Sequence, residues 1–236
     1  RVVSKRALPG LAAGLRTLDF VCDPSMMGLQ PSFRSAAIPR GRPCRKLPIM
    51  SLSVASAAAL SPPYTAEDLV RMDRFREGLD SAARELLETH LALPREVHYV
   101  ADLRRWMLSQ MTMAMHFEHL QDRACLPISP GNLARTMSAI ASRNTVHAFL
   151  LEMRRYRFVE PLERGDGRQR AVRATEMSEA LIRRYFDIHL RALDLIDGGD
   201  RYALSRQQPG LLHGAQPRFA RLLLARCRGE ATAEAV

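Results

Sequence analysis

The most constraining stretch of this chain runs from Ser142 to Thr175. Within it, Val146, Phe149, Leu150 and Met153 recur at i, i+3, i+4 and i+7, the spacing that gathers apolar side chains on one side of an α-helix. Arg143, Asn144, His147 and Leu151 or Arg155 then fall on the opposite side. A shorter helix is expected over 129–140, with Ser129 as cap and Pro130 at the first helical position. A tight Ala141–Ser142 turn joins the two. Downstream, Phe158 to Arg164 reads as a strand, Gly165-Asp166-Gly167 tolerates the positive φ of a tight hairpin, and Arg168 to Arg173 returns as a second strand.

Two short helices, the second polar in its first turns, followed by an arginine-lined hairpin, make the plan of a winged helix-turn-helix. Thr175 is expected to cap a long helix with Met177, Leu181, Ile182, Tyr185, Phe186, Leu190 and Leu193 on its apolar side, stopped by Gly198-Gly199. Upstream, Thr65 with Glu67 and Asp68 opens a helix expected to continue to His90, with Leu69, Met72, Phe75, Leu79, Ala82 and Leu86 as its stripe. Pro94 breaks the pattern, and Val100 to Gln121 reads helical again. The expected fold class is therefore mainly α: a winged helix-turn-helix with a two-stranded wing and long flanking dimerisation helices.

Charge placement agrees with that plan. The 236 residues hold 35 Lys and Arg against 25 Asp and Glu, a net charge of +10. Arginine supplies nearly all of it, since Lys5 and Lys46 are the only lysines, and a GC-rich genome alone can produce such a bias. Position is more informative than the total. Residues 1–50 carry nine basic and two acidic side chains, and 129–175 carry nine and four. The first group lies in a Pro-rich segment, 1–63, expected to be an irregular arm outside the folded domain. Because Met50 opens a segment leading into the first helix, 1–49 is expected to be an upstream extension. The second group coincides with the helix-turn-helix and wing. Three regions are thus expected: the arm over 1–63, a winged-helix domain with dimerisation helices over 64–200, and a C-terminal tail over 201–236 with a short helix contributing to a dimer.

Several residues carry a resemblance to a known family. These are Leu133-Ala134 in the first helix of the motif, Ser142 to Val146 opening the second, Leu150 to Val159 leading into the wing, Asp166-Gly167-Arg168 at its turn, and Arg170 to Thr175 closing it. Over roughly 65–197 the chain resembles MarR-type winged-helix bacterial transcription regulators. It departs from their pattern where a glycine usually follows the recognition helix, here near Tyr156–Arg157, and in lacking a glycine soon after Thr175. The resemblance implies a dimer that reads a pseudo-palindromic operator and releases it when a small-molecule effector or another signal binds.

The chemistry of the second helix suits double-stranded DNA. Arginine can donate twice to guanine O6 and N7, and an asparagine amide can pair with adenine N6 and N7 in the major groove. Arg143, Asn144 and His147 are the expected base or phosphate contacts, Thr145 supports the helix start or touches phosphate, and Arg154 is included among the DNA-binding residues. Arg168 and Arg170 are expected to enter the minor groove from the wing, with Asp166 orienting one of them. For Arg164 and Arg173 a structural ion pair fits as well. The apolar stripes at 69–86 and 177–193, together with Phe219, Leu222 and Leu223, exceed what one winged helix needs to bury, so a homodimer is expected.

Other chemistries find less support. His116, Glu118 and His119 near Cys125 include an i, i+3 histidine pair, but no second ligand cluster accompanies it, so no metal and no cofactor are expected. Trp106, Met107 and Met111, with Met113 and Met115, fit either an adaptable effector pocket or a methionine-filled core. There is no phosphate-binding glycine loop, nucleophile elbow or paired-carboxylate motif, and the protein is read as a non-enzyme. The four scattered cysteines form neither a metal knuckle nor a disulfide scaffold, which makes the reducing cytoplasm the default location. The longest uncharged stretch, Leu47 to Ala66, contains Pro48, Pro62 and Pro63 and is no membrane span. The weakly apolar Ile49–Leu60 run after Arg40, Arg42, Arg45 and Lys46 is a poor secretory signal. Within nucleic-acid binding the alternative is an architectural, non-specific DNA binder. Outside it, the alternative is a winged-helix protein-interaction module.

Overall fold

The computed structural model describes residues 64–93, 102–162 and 171–229. The arm over 1–63 and the expected hairpin turn with Arg164, Asp166, Arg168 and Arg170 lie outside them. The described residues are mainly helical, with one small antiparallel sheet of two strands. None of their helices is long and apolar enough to cross a membrane.

The chain enters through α1 (Ala66–Val70) and α2 (Phe75–Ala92). Thr65 Oγ1 accepts from the Asp68 amide at 3.2 Å while the Asp68 carboxylate accepts from the Thr65 amide at 2.9 Å, a reciprocal capping box. The single helix expected from Thr65 to His90 is therefore two helices. Between them the chain makes two tight i→i+3 bonds, from Met72 N to Leu69 O and from Phe75 N to Met72 O. Neither glycine nor proline marks this turn, so periodicity alone runs through it.

Helix α3 (Leu103–Gln121) is capped by Asp102 and buries ten residues, Met107, Leu108 and Gln110 to Phe117, on almost every side. Helices α4 (Pro130–Thr136) and α5 (Arg143–Arg155) follow, each capped by a serine, Ser129 or Ser142, that accepts an amide from its first turn. α5 buries Val146, Phe149, Leu150 and Met153, the side expected from spacing. Strands β1 (Val159–Pro161) and β2 (Val172–Ala174) pair in the register Val159↔Ala174, Glu160↔Arg173 and Pro161↔Val172. Ile128 bridges Val172 from the other side, so β2 lies between β1 and the loop before α4.

The end of α5 is closed by an unusual residue. The Arg157 amide donates to Arg154 O at 3.1 Å and the Phe158 amide to Met153 O at 2.8 Å, a Schellman closure whose left-handed position, φ 59°, holds arginine instead of glycine. A side chain in that region strains the backbone by about 1–2 kcal/mol. Arg157→Gly is expected to raise stability by about 1 kcal/mol, allowing for the greater freedom of glycine in the unfolded chain. Differential scanning calorimetry would show this as a rise of about 2–4 °C in Tm, and an unchanged or lower Tm would contradict it.

Helix α6 (Glu176–Asp197) ends at Gly198 with φ 75°, and α7 (Arg201–Gln207) and α8 (Leu211–Cys227) complete the chain. Thr175 does not cap α6 through its hydroxyl as expected. Its Oγ1 instead donates to Arg157 O at 2.8 Å and Phe158 O at 3.3 Å, tying α6 back to the end of α5. The C-terminal segment, expected to be a tail with a short helix, holds a 17-residue helix whose Leu212, Gln216, Ala220 and Leu224 are buried. Gly214 and Pro217 interrupt that pattern in the sequence, yet the helix lies along α3 and contributes Ala220 and Leu224 to the main core.

That core joins α3, α4, α5, β1 and α8 through residues such as Met111, Leu133, Val146, Phe149 and Phe158. A second cluster of Met113, Phe117, Ala174, Ile182 and Leu212 links α3, β2, α6 and α8. The α2 and α6 stripes meet within one chain, through Ala82, Ile188 and Ala192. Gly78 permits that approach, because a Cβ there would lie 2.5 Å from Ile196 Cγ1 and 2.8 Å from the Ala192 carbonyl. The pairing is sealed by Glu85 with Arg191. Much of the apolar surface that suggested a homodimer is thus covered by the chain itself, although Leu87, Leu91 and Leu222 stay exposed.

Candidate nucleic-acid interface

The α4–α5 pair is anchored from several directions. Asn132, buried in α4, donates to Pro127 O at 2.9 Å, and Arg228 at the end of α8 donates to Thr136 O at 2.7 Å. With its apolar stripe in the core, α5 projects Arg143, Asn144, His147, Ala148, Leu151, Arg154 and Arg155 to solvent. Among the described residues, the side chains of Arg143, Asn144, His147, Arg154 and Arg155 make no hydrogen bond or ion pair, so all retain their donors for a ligand. Thr145 is different: its hydroxyl lies 2.9 Å from Ser142 Oγ, placing it with the helix start as one of its two expected roles.

Among the described residues, few carboxylates accompany this surface. The single acid of α5, Glu152, sits at its edge, 3.8 Å from Arg105 of α3. The first turn of α5 has no acidic residue and begins with Arg143, whereas α1, α2 and α6 each begin with acids that complement the helix dipole. A cation at the positive end of a helix is mildly unfavourable for folding. It reinforces an anion-attracting end.

On the sheet, Arg173 Nε donates to Glu160 Oε1 at 2.7 Å across the register pair, so Arg173 is held in a structural ion pair. The expected wing contacts Arg168 and Arg170, with Asp166, fall outside the described residues. Met107 and Met111 are core residues, 3% and 1% exposed. Trp106 packs edge-on against Tyr185 and Phe219, at centroid distances of 6.5 and 6.3 Å. Burial pushes the Tyr185 hydroxyl up to about 12, so it stays protonated. None of these three lines the cavity at the sheet base, formed by His116, His119, Arg123, Ile128, Val172 and Arg173, or the groove of Ser81, Glu85, Asp194 and Tyr202 between α2, α6 and α7.

The histidines near Cys125 have protein partners. His119 Nδ1 lies 2.8 Å from Cys125 O, and Glu118 accepts both Nε and Nη2 of Arg221 at 2.6 Å. His116 is an interhelical structural element. Its Nδ1 accepts the Ala174 amide at 3.3 Å, which leaves the proton on Nε2 to donate to Glu179 Oε1 at 2.8 Å. Burial lowers the His116 pKa, Glu179 opposes that shift, and His213 and Arg173 reinforce it. The neutral imidazole is therefore built into the fold. Its contribution to stability is present above the ordinary value of 6.5 and is lost as pH falls below it, because the unfolded chain then binds the proton first. Urea midpoints are expected to fall between about pH 7.5 and pH 5.5. His116→Gln is expected to flatten that slope, leaving the part due to His189, which burial shifts in the same direction. An equal slope in both proteins would contradict the assignment.

Compared with protein-family models, curated proteins and solved structures, the chain matches none.

Proposed function

We propose that this protein is a winged-helix DNA-binding transcription regulator of MarR-like type, acting without catalysis. The observation that carries the reading is the solvent face of α5, where Arg143, Asn144, His147, Arg154 and Arg155 keep their side chains unengaged among the described residues, and the one acid of the helix, Glu152, lies beside Arg105. Over 143–155 the helix rises about 18 Å at 1.5 Å per residue, and the major groove is roughly 12 Å wide. With its side chains a helix is about 10–12 Å across, so α5 can lie along the groove with its arginines near phosphates while Asn144 and its neighbours face base edges. Arg168 and Arg170 belong to the same proposal as minor-groove contacts. So does a two-fold homodimer on a pseudo-palindromic operator, with half-sites about one helical turn apart. A small-molecule effector is carried by the family resemblance alone.

The test is selection of duplexes from a random pool by the full chain, followed by gel shifts over a salt series. Enrichment of a symmetric motif with two half-sites supports the regulator. Uniform, salt-sensitive binding of all duplexes would replace it with the architectural reading, and no binding even at low salt would replace it with a protein-interaction module.

A further inference from the structure

The exposed apolar centre of α5 gives the proposed interface a specific chemistry. Leu151 is 56% exposed although the same helix buries Val146, Phe149, Leu150 and Met153, so it stands opposite the core stripe. Its neighbours at i−4, i−3, i+3 and i+4 are His147, Ala148, Arg154 and Arg155. All four are exposed. The result is a small apolar patch, Ala148 and Leu151, between Arg143 and Asn144 at the start of the helix and Arg154 and Arg155 at its end.

We propose that Leu151, assisted by Ala148, reads thymine methyl groups in the major groove, so that each half-site places thymine beneath the middle of α5. The inference rests on the DNA-binding reading above. On the major-groove edge of the four base pairs, the thymine C5-methyl is the apolar group, and aliphatic side chains recognise it by contact. The flanking charges fit the same occupant. Arginines at both ends, outnumbering the one carboxylate of the helix, complement a polyanion whose two phosphate walls enclose a floor of bases. Glu152, the one acid on the helix, lies 3.8 Å from Arg105, whose charge opposes its own.

The experiment uses the full chain and the tightest duplex recovered from the random pool. Each thymine of one half-site is replaced in turn by deoxyuridine, which removes only the methyl group, and affinity is measured by fluorescence anisotropy. One or two of these substitutions are expected to weaken binding about fourfold, the effect of exposing one buried methyl. With Leu151→Ala, the thymine and deoxyuridine duplexes are expected to bind equally, both more weakly than wild type binds thymine. Because Leu151 lies outside the core, circular dichroism and Tm of the variant are expected to stay unchanged. Selective binding with no deoxyuridine effect, or a deoxyuridine penalty that persists in Leu151→Ala, overturns this inference while leaving the regulator intact. Failure to recover any preferred duplex overturns both.

Discussion

Phe117→Ala is expected to destabilise the protein by about 3–5 kcal/mol, a large part of the roughly 5–15 kcal/mol that holds a typical domain together. The Phe117 ring is fully buried in α3 and stacks on His213 of α8 with centroids 4.6 Å apart and planes 19° from parallel. It also lies 5.4 Å from His116, whose imidazole holds the amide of Ala174 in β2. Met113, Ala174, Ile182 and Leu212 complete the cluster, so one ring joins α3, β2, α6 and α8. Truncation would leave a void bordered by four elements, each held elsewhere and unable to collapse fully into it. Urea denaturation should show a lower midpoint at an unchanged m-value. A loss below about 1 kcal/mol would mean that the site repacks freely.

The second large effect concerns binding. If the protein binds DNA as proposed, replacing Arg143, Arg154 and Arg155 together by alanine is expected to weaken that binding about 100- to 1,000-fold at about 0.1 M salt and to lower the slope of log affinity against log salt by about 3. Each arginine is exposed and makes no side-chain hydrogen bond or ion pair among the described residues, so its removal leaves no buried partner stranded. Stability should change by no more than about 1 kcal/mol. Loss of Arg154 and Arg155 from the last turn of α5 acts against the helix dipole, and loss of Arg143 from the first turn acts with it. A variant that binds as tightly as wild type, with the same salt slope, would remove α5 from the interface.

The legible parts of this fold were those set by local rules. Helix α5 begins and ends where its stripe, Ser142 and the following strand place it, and the Ser129–Pro130 start of α4 follows from capping chemistry. Longer-range choices were not legible. Periodicity marks Leu79, Ala82 and Leu86 as apolar but does not say what covers them, and the structure answers with α6 of the same chain. Gly214 and Pro217 weaken the pattern of α8 in the sequence, although α3 supplies the surface on which the helix packs. The missing glycine after α5 was visible in the sequence, but not that Arg157 itself would adopt the left-handed conformation. For the interface, the residue types on α5 could be read from spacing. Their freedom from ion pairs could not, since the pairing of Glu152 with Arg105 depends on the approach of α3.

The carbonyl of Phe158 has a mechanical consequence. It accepts the Thr175 amide at 3.0 Å and the Ser178 hydroxyl at 2.6 Å, while Thr175 Oγ1 also reaches the carbonyl of Arg157. The last turn of α5, the start of β1 and the first turn of α6 are consequently pinned at one point. A displacement of the first turn of α6 would therefore be felt at the end of α5, whose last turn carries Arg154 and Arg155.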